Sequence, residues 1–292
     1  MNKNFKVFAI MAIMMGLLLF VGCDSKYARD YSSDQEVTIV DEMTDEELIA
    51  KSAEGQKNAG HYFNYTGSNT FLATELGDAC KDMLTTYDLD SDTYETVKYK
   101  VFVEARTNSE NEESFEGYIK KKVTLYYQLI DGSKILTKEI NQNVYFTNQA
   151  IYMQNTMDDK DDENAKGKIY ELGEISESGQ FNFDLIATTF FPLMDEKGTD
   201  EKGNIIAQSF CENDEGQKEG LRLVLDSSGK LVFVSGIKTD AVTNIDIDYK
   251  KKTINFPDDL DSYDDSECMQ MSPLTIATLL FVGMIWLLEP YK

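Results

Sequence analysis

From Tyr62 onward the apolar residues of this chain recur at every second position. Val97, Tyr99, Val101 and Val103 alternate with Lys98, Lys100 and Phe102, and Val123, Leu125, Tyr127 and Leu129 alternate with Thr124, Tyr126 and Gln128. Successive side chains of a strand point to opposite faces, so each run predicts a strand with one apolar side. Turn residues separate the runs. Asp131-Gly132 leads toward Ile135, Asn148-Gln149 divides Val144-Tyr145-Phe146 from Ile151-Tyr152-Met153, and Ser227-Ser228-Gly229 joins Leu221, Leu223 and Leu225 to Leu231 and Phe233. Ile245, Ile247 and Tyr249 predict a further strand, and residues 253–256 the last. Such short connections imply antiparallel hairpins.

Two segments have helical spacing instead. Thr44-Asp45-Glu46-Glu47 forms a capping box that opens a helix carrying Leu48, Ile49 and Ala53 and ending near Gly55 or Gly60. Residues 181–191 place Phe183, Ile186, Ala187 and Phe190 on one helical face and stop before Pro192. A sheet with one apolar face needs a cover, and these helices can supply it. The expected fold class is therefore α+β, one domain: a large antiparallel sheet with one apolar face covered by a few helices. Phe183, Ile186 and Phe190 would point at that apolar face.

The two ends have a different character. Lys3 and Lys6 precede an uncharged apolar stretch over residues 7–21, and Gly22-Cys23 follows, the layout of a secretory signal. Phe20-Val21-Gly22-Cys23 resembles the lipobox of bacterial lipoproteins, with Phe20 where Leu is usual. That resemblance implies a signal peptide over residues 1–22, acylation of Cys23 and a body outside the cytoplasm. An uncleaved transmembrane helix is the alternative, and it too leaves the body outside. Residues 23–43 read as a polar tether. After an acidic linker at 260–270, residues 271–288 carry no charge and open with Ser272-Pro273, a favourable helix start. At 1.5 Å per residue this run is ~24 to 27 Å long, just short of a ~30 Å hydrocarbon core. It is expected to be a transmembrane helix, or else an apolar helix packed on the body.

Charge and residue inventory exclude several functions. Acidic residues outnumber basic ones 52 to 28, a net charge of −24, which argues against nucleic-acid binding. His61 is the only histidine, so no multi-histidine metal site exists, and no GxSxG, P-loop or Rossmann glycine pattern occurs. Asp88, Asp90 and Asp92 open like a calcium loop, but Thr93 and Tyr99 stand where Gly and Glu are required. Residues 158–163 read as a solvated acidic loop. No cofactor or metal is expected. With Cys23 acylated, Cys80, Cys211 and Cys268 remain, an odd number. Cys80 and Cys211 can pair outside the cytoplasm, and Cys268 reads as free.

The TDEELIAKSAEG helix, the hairpin strands, the mid-chain helix, the turn in LDSSGKLVFV and the ending IDIDYKKKTINFPDD together resemble the LolA/LprG-like lipoproteins over residues 44–259. That resemblance implies a curved, half-barrel-like sheet whose concave side holds acyl chains, which makes Phe183, Ile186 and Phe190 candidates to line a ligand cavity, and it carries no catalytic residues across. Three function classes follow. The first is a membrane-anchored lipoprotein binding a lipid or other apolar ligand between sheet and helices. The second is a non-catalytic interaction or structural module of the cell envelope, and the third, remotest, is a hydrolase.

Overall fold

The structure is a computed structural model that describes residues 26–57, 59, 61–72, 94–108, 116–157, 167–171, 191–238 and 241–264. Its strands are β1 (Asp41–Glu42), β2 (Tyr62–Leu72), β3 (Tyr94–Asn108), β4 (Glu116–Leu129), β5 (Ile135–Phe146), β6 (Ala150–Met157) and β7 (Lys168–Glu171), then β8 (Glu196–Thr199), β9 (Ile205–Glu212), β10 (Lys218–Leu225), β11 (Leu231–Lys238) and β12 (Ala241–Asp248). All belong to one sheet in the order β1-β8-β9-β10-β11-β12-β2-β3-β4-β5-β6-β7. Every neighbouring pair is antiparallel. Two meanders, β2 to β7 and β8 to β12, are therefore joined where β12 meets β2, with Ile247 opposite Tyr65 and Asn244 opposite Ser68. The order does not close on itself, so the sheet is open, as the curved-sheet expectation requires.

Local chemistry explains the hairpins. Gly132 (φ 72°) and Gly229 (φ 89°) supply the left-handed residue of their turns. The Asp131 carboxylate accepts from the Ser133 N–H, and that of Asp226 accepts from the Ser228 and Lys230 N–H groups. The period of two is used as expected. Val101, Val103 and Ala105 of β3, Ile119 of β4, and Val144 and Phe146 of β5 enter one large core on what we call the inner face. Leu223 and Leu225 of β10 and Ile245 and Ile247 of β12 continue it across the second meander.

Helix α2 (Asp45–Lys57) lies on this face at the β8–β11 end. Its capping box is formed: the Thr44 N–H donates to the Glu47 carboxylate at 2.8 Å, and the Glu47 N–H to Thr44 Oγ1 at 3.3 Å. Leu48 is fully buried, Lys197 pairs with Asp45 at 2.7 Å, and Gly55 sits against the backbone of the Gly229 turn. The expected helix at 181–191 lies outside the described residues except for Phe191, which begins a short 3-10 turn, Phe191–Leu193, and is buried in the same core.

Two expectations are corrected. Residues 23–43 are not a free tether: from Lys26 onward the segment is docked on the sheet. It forms helix α1 (Lys26–Tyr31) and strand β1, and Tyr31 is only 3% exposed. Tyr31, Val37 and Ile39 pack against Ile206, Val224, Val232 and Phe233, so β9–β11 are apolar on their outer face too, and apolar area left in water there favours docking. Residues 253–256 form no strand, because the edge of β12 they would need is taken by β2. Residues 250–264 instead cross the outer face as a strap. Asn64 donates to the Lys250 carbonyl at 2.8 Å and Arg106 to the Thr253 carbonyl at 2.9 Å, and Phe256 lies against Tyr145. Tyr263 lies edge-on to Tyr152, and Asp264 then bridges to the free edge of β7, exchanging backbone bonds with Gly167 and Ile169. A strand edge that would invite another chain is thereby covered.

Candidate ligand-binding face

The strand register orders the inner face into rows. Across β3, β4 and β5 these run Ala105–Ile119–Val144, Val103–Lys121–Gln142, Val101–Val123–Ile140 and Tyr99–Leu125–Lys138, with Tyr127 opposite Leu136 beyond them. Leu125 and Tyr127 are fully buried and form a second apolar cluster with Tyr99, Val123, Leu136 and Ile140. Tyr99 and Val123 also touch the large core, so the two clusters are continuous. Lys121 and Lys138, both half-buried, are the cations set among these apolar rows. The result is an apolar surface with ammonium groups at two of its register positions, a chemistry suited to an amphiphile with an acyl chain and an anionic head.

The β8–β12 end of the face is a filled core. Leu48 of α2, Phe191 and Met194 pack there on Ile205, Ala207, Leu223 and Leu225, leaving each nearly or fully buried. The residues expected to cover the concave face of the sheet, Phe183, Ile186 and Phe190, lie outside the described residues. Cys23, Cys80 and Cys268 do so as well, together with Asp88, Asp90 and Asp92, residues 158–163 and the apolar run at 271–288. Cys211 is exposed near the end of β9 and free. His61 is exposed just before β2. Among the described residues, no group of three or more His, Cys, Asp or Glu could hold a metal ion, and no helix is long and apolar enough to cross a membrane.

The structure also brings together groups that sequence reading missed. On the outer face of β3–β5, Lys120 lies over the rings of Tyr118 and Tyr145 (4.6 and 5.7 Å), and Glu104 holds Arg106 at 2.7 Å. Burial, then the charge of Glu104, raises the Tyr118 phenol well above its ordinary pKa. Arg222 is 1% exposed on the outer face of β10 and donates to the carbonyls of Tyr31, Ser32 and Gln35 and to Gln208 Oε1. Burial is the main cause that lowers its pKa to about 10. The only sequence signal for it is an arginine at a polar position of an alternating strand, which reads as solvent-facing.

No family model matches the chain, and no curated protein matches it. Among solved structures it is similar to the crystal structure of LprF from Mycobacterium bovis, at 9% identity over 74% of this chain and 99% of that one. The TM-score is 0.27, and a likeness of that size carries no argument about this chain.

Proposed function

We propose that this protein is a membrane-anchored, extracytoplasmic lipoprotein that holds a lipid or other apolar ligand against the β3–β5 half of its inner face and catalyses no reaction. The observation that carries this reading is the row structure of that face, in which Tyr99, Val123, Leu125, Tyr127 and Ile140 surround the half-buried Lys121 and Lys138. Sequestering an acyl chain on such a surface is favourable by about 0.8 kcal/mol per buried methylene, and the lysines would take an anionic head group. The signal-like N-terminus and the lipobox resemblance of residues 20–23 support the location.

Native mass spectrometry of the protein purified from its own host tests the ligand. A co-purifying lipid is expected, together with binding of a fluorescent fatty acid that weakens in Lys121→Gln. Absence of both ligand and fatty-acid binding overturns the reading. The complete burial of Leu125 and Tyr127 within the chain favours a second reading, a non-catalytic interaction module of the cell envelope. Tyr127→Ala separates the two. In a filled core it costs about 3–5 kcal/mol and changes no binding, whereas at a ligand site stability falls less and fatty-acid affinity changes.

A further inference from the structure

Only two residues, Asp24 and Ser25, separate Cys23 from α1. The docking of α1 and the turn after it is unusually well secured. Tyr27 stacks on Phe233 with ring centroids 6.4 Å apart, and the Tyr31 hydroxyl donates to the buried Asp200 at 2.6 Å. Arg222 holds three carbonyls of residues 31–35, and Lys218 a fourth, that of Ser33. The Ser33 N–H and hydroxyl both meet Ser235 Oγ at 2.8 Å. The ten residues 26–35 at the start of the body are thus docked on the sheet rather than a linker.

We propose that the outer face of β9–β11, dressed by α1, rests on the membrane surface, and that its partner is the phospholipid headgroup layer. The inference rests on the reading that the N-terminus is the membrane anchor. Three Cα steps of 3.8 Å place α1 within ~11 Å of Cys23, whereas a flexible tether of the length read from sequence would let the body wander by ~25 Å. The exposed ionic side chains of α1 are Lys26 and Arg29, because its one acid, Asp30, is paired with Lys202 at 2.8 Å. In a chain of net charge −24, the exposed charges of α1 itself are therefore cationic and lie within a Debye length of an anionic leaflet, while the exposed acids Asp34 and Glu36 belong to the turn beyond it. The inner face lies on the other side of the sheet and points away from the bilayer.

The test uses the acylated full chain in vesicles of phosphatidylglycerol and phosphatidylcholine containing a nitroxide-headgroup lipid. Cys80, Cys211 and Cys268 are replaced by Ser, and a bimane label is placed through Arg29→Cys or, on α2 across the sheet, through Glu54→Cys. Quenching at position 29 is expected to exceed that at 54 at least threefold. Twelve Gly-Ser residues inserted between Ser25 and Lys26 should bring the two to the same level, and this variant leaves the fold untouched. Palmitate incorporation with equal quenching at both positions in the parent overturns this inference alone. Absence of palmitate and of membrane-bound label overturns the anchoring reading and the inference with it.

Discussion

Gly55→Ala reverses the sign that helix propensity gives. In the interior of an exposed helix, Ala in place of Gly is worth about 1 kcal/mol. A Cβ at position 55, however, would stand 2.2 Å from the Gly229 carbonyl carbon, 2.4 Å from its oxygen and 2.6 Å from the Lys230 nitrogen. These are backbone atoms of a tight turn and cannot rotate away. Relief requires α2 to withdraw by more than ~1 Å, and a gap of that size forfeits a quarter to a half of the dispersion well of each facing atom. Leu48 is fully buried under the same helix, and complete loss of a buried leucine costs about 2–5 kcal/mol. Partial loss there and along the helix sums to ~3 kcal/mol, so the net change is a destabilisation of about 2 kcal/mol after the propensity gain. Urea unfolding followed by circular dichroism measures it, with Glu54→Ala as the control. That neighbour is exposed and forms a surface pair with Lys51, whose loss is a change within ~0.5 kcal/mol. A Gly55→Ala protein as stable as its parent would refute the close approach of α2 to the β10–β11 turn.

Arg222→Met should strip the donors from the buried carbonyls of Tyr31 and Ser32, from that of Gln35 and from Gln208, costing ~3 kcal/mol or more, and hydrogen exchange should quicken at residues 26–35 before it does in β3 and β4. Unchanged protection there counts against the clamp. Burial raises the phenols of Tyr31, Tyr65, Tyr118 and Tyr249 above the ordinary 10.0. The stability tied to those protons is whole below pH ~10 and is lost as pH climbs through the raised values, because there the unfolded chain has released protons that the native one keeps. Tyrosinate absorbance should therefore rise late and together with loss of the sheet signal, and early, gradual ionisation of all sixteen tyrosines before unfolding contradicts this. Cys23→Ala should abolish palmitate labelling. Combined with truncation after Glu267 it should yield a soluble product, and persistent membrane association of that double variant places the anchor elsewhere.

What the sequence by itself determined was local. The alternation in residues 97–103, 123–129 and 221–225 decided which side chains share a face, because the period of a strand admits no other arrangement. Asp131-Gly132 and Asp226 with Gly229 decided where the chain reverses, and Thr44 with Glu47 where α2 begins, since each turn or cap is satisfied by groups at most four residues apart. Only the tertiary structure decided what is non-local. That β12 pairs with β2 follows from neither segment alone, and once it does, residues 253–256 have no edge to join and become a strap. The polar look of residues 26–35 suggested a tether because their partners, Arg222, Ser235 and Asp200, lie about 170 to 200 positions away. Arg222 likewise reads as surface until the segment that buries it arrives from the other end of the chain. The N-terminal segment and the buried arginine satisfy one another, and neither satisfaction can be seen in the residues nearby.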